Sequence, residues 1–571
     1  MNHRMNRRPR RLRLLLAAVA LLLTSQLRAS GAGDVPDARA ARVDALFADL
    51  NRAPSPGVAI AVVRDGKVIL RRGYGLASVE HRVPVTPSTV FDTASLSKQF
   101  TGLAVAMLVS EGKVKLGDDV RKYIPELHDF GRPITVEHLL RHTSGLRDWY
   151  STLSVAGWRP SDPITYGDIL TLAYHQRSLN FAPGSGHLYT NTGYNLLAEL
   201  VQRVTRRPFR AWAEEHIFRP LGMADTRVRD DFNEVIPNRA YGYAHGPGGS
   251  LRTTPNNLTG VGSSSVFSTA DDFARWLINF GEAGVGGRAA LSLMQTPGAL
   301  DDGTPVRYGF GITTGRYKGL PFFTSSGAWA SFNTYDAYFP EQKFGVVVLA
   351  NSGAADAQSA VIKITDIYLE KDFAAAPPPA AAQEPAPKAG VSAAAFDEYA
   401  GLYRLGPDSY ARVERYETML LFLMPRRGHV VMSPTSENEF SVEREDEAAA
   451  VVFRRGADGK VASLTYDGRP APRVAASEIR PPADLSVYAG DYDSEELGAS
   501  YRVTVADGAL QMQHRRRGDT PLKWLWGDEF RALDAHLSSV EFKRDGAGRV
   551  NGLVVNGSER SRDIRFTKRR S

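Results

Sequence analysis

The spacing of apolar residues changes along the chain and separates it into regions of different structure. Residues 56–78 contain two apolar, β-branched runs on either side of the sequence RDGK at 64–67, which predicts a β-hairpin because Asp-Gly is a strong turn signal. Residues 101–112 form an apolar run that predicts a helix beginning just ahead of it. Beyond residue 390, apolar residues recur with a period of two, which is typical of antiparallel strands.

A proline- and alanine-rich stretch marks a domain boundary. Residues 374–390 read AAAPPPAAAQEPAPKAG, a composition that behaves as a semi-rigid, solvated spacer and cannot build a helical core. We therefore predict a first domain over residues 33–373 and a linker over residues 374–392, followed by strand-rich domains.

The strand-rich region contains an internal repeat. The sequence YAGLY at residues 399–403 returns as YAGDY at 488–492, and FRR at 453–455 returns as FKR at 542–544, each time after 89 residues. Landmarks at both ends of each copy favour a duplication. A unit of about 85 to 90 residues has the size of a small antiparallel barrel. We predict two β-barrel domains, over residues 393–484 and 485–571, whose role is left open between a loop covering a cleft, a ligand-binding module and a passive companion.

The first 32 residues have the pattern of a secretory signal peptide. A basic segment, residues 1–13, precedes ten apolar residues, Leu14–Leu23, and small residues at 30–32 offer a cleavage site. The apolar core is too short to span a membrane as a stable helix. We therefore expect a periplasmic or secreted bacterial protein with no stable membrane anchor after cleavage.

The net charge and the cysteine content limit the classes of protein to which the chain can belong. The formal net charge is +7, but residues 1–32 carry seven arginines and no acidic residue, so the remainder is neutral overall. The basic balance therefore belongs to the export segment and does not indicate nucleic-acid binding. The chain has no cysteine, so we expect neither disulfides nor a cysteine-linked lipid anchor.

The most informative motif pairs Ser95 with Lys98. Residues three apart share one face of a helix, so the serine hydroxyl and the lysine amine can meet in one cleft. A serine becomes a good nucleophile when a base takes its proton, and lysine serves only as the neutral amine, which needs burial or nearby positive charge. Ser97, adjacent to Lys98, points about 100° away around the helix. We predict Ser95 as the nucleophile in the first helical turn, with Thr93 or Asp92 as the cap.

The Ser-x-x-Lys spacing alone also fits an ordinary helix start with a solvated lysine. Its significance comes from the segments that accompany it in order, namely RHTSGL (141–146), YTN (189–191), RPLGMADT (219–226), FSTADDFARWL (267–277), YGFGI (308–312), SSGAW (325–329) and FGVVVLANSG (344–353). Over about residues 40–365 this set resembles the class C β-lactamase, D,D-peptidase and esterase superfamily of penicillin-recognising serine hydrolases. The resemblance implies an α+β fold with an antiparallel sheet flanked by helices, and the two barrels after it resemble the layout of the D-aminopeptidases.

The resemblance also implies roles for individual residues. Tyr189 would be the second proton-transfer group, which its ordinary pKa of about 10 allows if Lys98 lies close. Without the other motifs, a core aromatic with a satisfied hydroxyl would be the favoured interpretation of Tyr189. Asn191 would bind the substrate amide or Lys98. The backbone N–H groups of Ser95 and Ala328 would form the oxyanion hole.

The third motif departs from the family pattern. Its first position, usually Lys or His, is Ser325, followed by Ser326 and Gly327. A cation there would contact a substrate carboxylate or tune the tyrosine, so its loss predicts weak activity on carboxylate-bearing β-lactams. The other interpretation is that Ser325 simply satisfies a hydrogen bond at a strand edge. Ser325, Gly327 and Ala328 are predicted substrate-binding positions together with Asn191.

Other catalytic chemistries have less support in the sequence. His142 lies in the HTSGL segment, which the resemblance implies to be a structural loop beside the cleft and not the base. G-x-S-x-G, H-E-x-x-H and phosphate-binding loop motifs do not occur, and no dinucleotide fingerprint precedes a plausible helix. We expect no metal, nucleotide or other cofactor.

These observations lead to a functional prediction with one rival. We predict a serine hydrolase that cleaves an amide, peptide or ester through an acyl-enzyme on Ser95, with D-amino-acid peptides or cell-wall material as the leading substrate class. Its partner would be a small-molecule or peptide substrate, and its oligomeric state is open. The rival is a non-catalytic protein that binds peptidoglycan or a partner on the same scaffold, which has no need of Ser95, Lys98 and Tyr189 together.

Overall fold

The computed structural model describes residues 38–52, 54–373, 396–406, 409–416, 419–424, 428–443, 448–534 and 536–569. The predicted signal peptide and linker lie outside the described residues. The chain divides into two units, residues 1–49 and 50–571, and the first contains one described α-helix, α1 (Ala38–Leu46). Within the described ranges no helix is both long and apolar enough to cross a membrane.

The second unit begins with the helices and strands of an α+β domain. Its helices are α2 (Lys98–Ser110), α3 (Val136–Leu140), α4 (Trp149–Val155), α5 (Tyr166–His175), α6 (Asn191–Thr205), α7 (Phe209–Ala213), α8 (Ala270–Glu282), α9 (Gly287–Gln295), α10 (Ala357–Tyr368) and α11 (Glu370–Phe373). Its strands are β1 (Val58–Arg64), β2 (Lys67–Tyr74), β3 (Leu76–Ser78), β4 (Val83–Pro84), β5 (Phe91–Asp92), β6 (Arg227–Val228), β7 (Tyr243–His245), β8 (Leu251–Thr253), β9 (Val266–Ser268), β10 (Gly298–Ala299), β11 (Pro305–Val306), β12 (Thr313–Tyr317), β13 (Leu320–Trp329), β14 (Phe332–Phe339) and β15 (Phe344–Ala350).

Six of these strands form one antiparallel sheet in the order β12-β13-β14-β15-β1-β2. Strands β1 and β15 are buried along almost their whole length, and α8 packs on both while α10 packs on β14 and β15. Asp65 and Gly66, between β1 and β2, have φ angles of 50° and 74°, as a type I′ hairpin turn requires. The predicted hairpin is confirmed.

Helix α2 lies at the centre of the helical layer. Its residues from Lys98 to Ala106 and Leu108 are buried, and it packs against α6 and α9. A helix surrounded on almost all sides has an uninterrupted apolar sequence, which explains the run predicted to be helical. Because α2 begins at Lys98, the core fixes the position of the Ser-x-x-Lys motif.

Two eight-stranded antiparallel sheets follow, as the repeat predicts. After a short helix, α12 (Phe396–Tyr399), the first sheet consists of β16 (Gly401–Gly406), β17 (Ser409–Tyr416), β18 (Met419–Met424), β19 (Gly428–Pro434), β20 (Glu439–Glu443), β21 (Ala448–Arg455), β22 (Val461–Tyr466) and β23 (Arg469–Pro472). The second consists of β24 (Gly490–Ser494), β25 (Ala499–Ala506), β26 (Ala509–His514), β27 (Gly518–Trp526), β28 (Glu529–Asp534), β29 (Leu537–Arg544), β30 (Val550–Asn556) and β31 (Ile564–Lys568).

The second sheet closes into a barrel, and the first nearly does. Strands β24 and β31 pair through Tyr492 with Lys568 and through Asp493 with Thr567. Among the described residues of the first sheet, one bridge joins Tyr403 on β16 to Arg473, the residue directly after β23. The fold class, an α+β domain of this kind followed by two antiparallel barrel sheets, is confirmed.

The repeat extends to individual contacts. The hydroxyl of Tyr403 donates to the carbonyl of Tyr399 at 2.7 Å, and that of Tyr492 donates to the carbonyl of Tyr488 at 2.6 Å. These four residues are the paired tyrosines of the YAGLY and YAGDY sequences. In both copies the first strand is therefore tied in the same way to the short helical segment before it.

Candidate active site

Ser95 lies in a 3-10 turn, Ala94–Ser97, directly before α2, and not in the α-helix as predicted. Residues i and i+3 eclipse in 3-10 geometry, so the spacing still places Ser95 beside Lys98. Of the two predicted caps, Asp92 accepts a hydrogen bond from the N–H of Ala94 at 2.8 Å, whereas Thr93 makes no capping bond. Ala94 has a φ of 49°, a left-handed conformation unfavourable for alanine, so the turn before the nucleophile is strained.

Lys98 connects the elements of the site. Its Nζ lies 3.0 Å from Ser95 Oγ, 2.8 Å from Asn191 Oδ1 and 2.7 Å from the carbonyl oxygen of Ser263. The side chain is almost fully buried, with 1% exposure. A neutral amine has two N–H groups and one lone pair. The two carbonyl-type oxygens can take the N–H groups, which leaves the lone pair for the hydroxyl proton of Ser95.

The charge state of Lys98 follows from its surroundings. Burial lowers its pKa well below the ordinary lysine value, Asp148 acts in the opposite direction, and Arg560 lowers the pKa further. A lysine with a lowered pKa can hold the neutral form that a general base requires. The structure therefore brings Ser95 and Lys98 together in the arrangement that the sequence predicts.

Ser97 occupies a different environment from Ser95. Its hydroxyl accepts a hydrogen bond from the N–H of Val266 at 3.0 Å and lies 3.3 Å from Thr93 Oγ1, and the residue is 1% exposed. Its contacts are those of a serine that ties the turn to β9. The prediction that chose Ser95 over Ser97 agrees with this placement.

Tyr189 packs directly against Lys98. The lysine Nζ lies 4.8 Å from the centroid of the tyrosine ring, and the Arg560 guanidinium carbon lies 5.1 Å from the same centroid. The ring of His142 lies 4.4 Å away and is fully buried. Burial lowers the pKa of His142 well below its ordinary value, and its Nδ1 accepts a hydrogen bond from the N–H of Thr190 at 3.3 Å. These contacts fit the structural role that the sequence resemblance implies for His142.

Asn191, the first residue of α6, is oriented by a residue that sequence reasoning missed. Asp148 Oδ2 accepts hydrogen bonds from the Asn191 N–H at 2.8 Å and from its Nδ2 at 2.9 Å. These bonds turn Asn191 Oδ1 toward Lys98. Asp148 is also the N-cap of α4, accepting from Tyr150 and Ser151 N–H groups. The local sequence around Asp148 indicates only a helix N-cap, which does not point to a role in the site.

The third motif lies on the part of β13 that extends beyond its pairing with β12. Strand β12 pairs with β13 only as far as Thr324, whereas β14 pairs along residues 323–329. A Cβ built on Gly327 would lie 2.9 Å from the backbone nitrogen of Ser95 and 2.5 Å from the carbonyl oxygen of Thr93. The strand therefore runs in contact with the nucleophile turn, and only glycine permits this approach. Ala328 follows at the position where the sequence predicts the second oxyanion donor.

Ser325 rests on a buried carboxyl group. Its N–H donates to Asp336 Oδ1 at 2.8 Å, and Asp336 Oδ2 accepts from Gln99 Nε2 at 2.7 Å. Burial raises the pKa of Asp336 to about 7. The interpretation of Ser325 as a hydrogen-bonded strand residue agrees with this contact, which involves its backbone. Across the described ranges, no cluster of three or more His, Cys, Asp or Glu side chains is placed to hold a metal.

Residues 43–368 match the Beta-lactamase family, which is more than half of the chain. The protein therefore belongs to the β-lactamase family, and it is a serine hydrolase related to the β-lactamases.

Several known proteins are similar over most of this chain. The D-aminopeptidase of Gluconobacter oxydans (strain 621H) is 27% identical over 479 residues, covering 83% of this chain and 86% of that protein. Penicillin-binding protein 4* of Bacillus subtilis (strain 168) is 25% identical over 438 residues, covering 74% of this chain and 95% of that protein. The octameric penicillin-binding protein homologue from Pyrococcus abyssi shares the fold, with a TM-score of 0.53 and 23% identity over 76% of this chain and 99% of that one.

Proposed function

We propose that the protein is an exported peptidase or amidase that cleaves short peptides or amides of D-amino acids through an acyl-enzyme on Ser95. The observation that carries the proposal is the buried Lys98 amine, 3.0 Å from the Ser95 hydroxyl and with a lowered pKa. A protein that only binds its ligand has no use for a buried base beside a serine. The similarity to D-aminopeptidases supports the D-amino-acid substrate class, and the first 32 residues support export.

The proposed reaction has two halves. In the first, Ser95 Oγ attacks the amide carbon while Lys98 takes its proton, and the N–H groups of Ser95 and Ala328 stabilise the oxyanion. The C–N bond then breaks, and the proton passes through Tyr189 to the leaving nitrogen. In the second half, water attacks the acyl carbon, the same groups carry its proton back to Ser95 Oγ, and the acid is released.

Covalent labelling with a fluorescent fluorophosphonate tests this proposal. We expect labelling of the wild type and of Ser97→Ala but not of Ser95→Ala, since only the Ser95 hydroxyl faces the base. Turnover of D-alanine p-nitroanilide should fall at least about a thousandfold in Ser95→Ala, because nucleophile and base act as a unit. An adduct on another residue of folded Ser95→Ala contradicts the assignment, and a wild type that is never labelled favours the binding-protein alternative.

A further inference from the structure

A loop of the second barrel contacts the candidate active site. It spans residues 557–563, between β30 and β31, and we call it the 557–563 loop. The Ser561 N–H donates to the Ser558 carbonyl at 3.0 Å, and the Asp563 N–H donates to Asn556 Oδ1 at 2.9 Å. The loop is therefore shaped by a hydrogen bond within it and by one to the last residue of β30.

The backbone of this loop is bound to the α+β domain. The carbonyl oxygen of Arg560 accepts hydrogen bonds from the Asp148 N–H at 2.9 Å and from Asn180 Nδ2 at 3.0 Å. Asn180 Oδ1 in turn accepts from the Arg562 N–H at 3.0 Å. Because the Asp148 carboxylate orients Asn191, one residue fixes both the loop and a part of the site.

A buried arginine holds the loop from the other side. Arg147 is 2% exposed and donates to the carbonyl oxygens of Arg562 at 2.6 Å and Asp563 at 3.0 Å. It also forms an ion pair with Glu496 of the second barrel. Removing one partner of a buried ion pair is strongly destabilising because the other charge is left uncompensated. The ion pair with Glu496, which lies between β24 and β25 and outside this loop, therefore fixes the Arg147 guanidinium, and the two hydrogen bonds from Arg147 hold the 557–563 loop in place.

The side chain of Arg560 extends from this loop to Tyr189. Its guanidinium carbon lies 5.1 Å from the centroid of the Tyr189 ring, and Lys98 Nζ lies 4.8 Å from the same centroid. Lys98 is held toward its neutral form, whereas arginine stays charged in proteins. Arg560 therefore brings a permanent positive charge to this part of the site, where the third motif has the uncharged Ser325.

We propose that Arg560 is a specificity-determining residue that binds the carboxylate of the substrate's leaving residue. This inference rests on the proposed function, in which Tyr189 passes a proton to the leaving nitrogen. In a leaving amino acid, the carboxylate is attached to the carbon next to that nitrogen. A cation on the Tyr189 ring is therefore on the correct side of the scissile bond.

The chemistry of arginine suits this role. A guanidinium binds a carboxylate through two parallel hydrogen bonds, and it exchanges no proton in doing so. The preferred substrates are peptides whose leaving residue has a free carboxylate. Ser325 alone predicts weak activity on carboxylate-bearing compounds. For peptides whose leaving residue has a free carboxylate we expect the opposite, because Arg560 of the second barrel supplies the positive charge that Ser325 lacks.

A matched pair of substrates tests the inference. We would measure kcat/KM for D-alanyl-D-alanine and for its C-terminal amide, D-alanyl-D-alaninamide, at the pH-independent limit of each profile. The variants are Arg560→Gln, Arg560→Lys and the control Arg516→Gln, which removes an arginine of the same barrel that pairs with Asp162 at 2.6 Å. Thermal unfolding checks that each variant is folded.

Arg560→Gln should lower kcat/KM for the dipeptide by about 10- to 100-fold, the value of one charge-assisted contact, and change that for the amide by less than about threefold. Arg560→Lys should give an intermediate loss, since lysine keeps the positive charge but lacks the two parallel donors of the guanidinium. Arg516→Gln should leave the ratio of the two kcat/KM values unchanged. Equal losses on both substrates, or a wild type that does not prefer the dipeptide, overturn the inference. Fluorophosphonate labelling of Ser95 in the same samples reports on the proposed function separately.

Discussion

Replacing Gly327 by alanine should displace the strand that faces the nucleophile. A Cβ here would lie 2.5 Å from the Thr93 carbonyl oxygen, 2.5 Å from Thr334 Oγ1 and 2.9 Å from the Ser95 nitrogen, whereas ordinary contact begins at 3.4 Å. Thr334 is 1% exposed and its hydroxyl donates to the Thr93 carbonyl at 2.9 Å, so it has little freedom to rotate away. The strand and the nucleophile turn must therefore separate.

The size of the effect follows from this overlap. Relieving a shortfall of 0.9 Å at the Thr93 oxygen moves β13 by a comparable distance. Misplacement of about 1 Å costs about 100-fold in rate, and loss of one oxyanion donor costs about 100- to 1000-fold in kcat. We expect kcat of Gly327→Ala to fall within this range with little change in KM, since the donors act mainly on the transition state. Overpacking should also lower the free energy of unfolding by about 1 to 3 kcal/mol.

Steady-state kinetics on a neutral D-amino-acid amide and ester, together with urea unfolding, measure both quantities. Ser326→Ala is the matched control, because it alters the exposed neighbour of Gly327 without adding an atom near Ser95. A folded Gly327→Ala enzyme with kcat within about threefold of wild type would refute the reasoning, because the oxyanion donor could then not come from this strand.

Three further outcomes are expected. Lys98→Ala should lower kcat almost as much as Ser95→Ala. In the double variant Lys98→Ala/Tyr189→Phe, the loss of kcat should be far smaller than the product of the two single losses, because Lys98 and Tyr189 share one proton path. Multiplicative losses of kcat would contradict this shared path. The rate should fall as the pH decreases through the lowered pKa of Lys98, which burial and Arg560 depress and Asp148 raises, and a pH–rate profile without an acid limb would argue against Lys98 as the base. Asp148→Ala should lower the free energy of unfolding by about 1 kcal/mol, because the N-cap of α4 is lost. It should also lower kcat, because Asn191 loses the carboxylate that orients it. Urea unfolding and steady-state kinetics measure the two effects, and an unchanged kcat would show that other contacts hold Asn191.

Elements with local signals were predictable from the sequence. The hairpin follows from Asp65-Gly66, whose positive φ angles are those that a two-residue hairpin turn needs. The two barrel sheets follow from period-two segments and the 89-residue repeat. The boundary at Ser95 was not predictable to the residue, because a 3-10 turn and the first turn of an α-helix have the same apolar spacing and differ only in their hydrogen bonds.

The residues of the candidate site also differ in whether the sequence could predict them. Ser95, Lys98, Tyr189 and Asn191 could be selected because each lies in a short motif, and the structure brings all four together. Arg560 could not be selected, since it reaches Tyr189 from 371 residues further along the chain and its neighbours show only a polar loop. Contacts of this kind depend on how one domain packs on another, which no local pattern encodes.

The packing of the second barrel bears on the choice between a movable lid and a fixed wall. Separating the 557–563 loop from the α+β domain would deprive the buried Arg147 guanidinium of the carbonyl oxygens of Arg562 and Asp563, and a buried donor left without its acceptor costs about 1 to 3 kcal/mol, or more when the donor is charged. The same motion would remove the Arg560 carbonyl from the Asp148 N–H, next to the carboxylate that orients Asn191. A loop that opened in every cycle would therefore disturb the site that it contacts. The contacts favour a fixed wall, which holds Arg560 beside the Tyr189 ring.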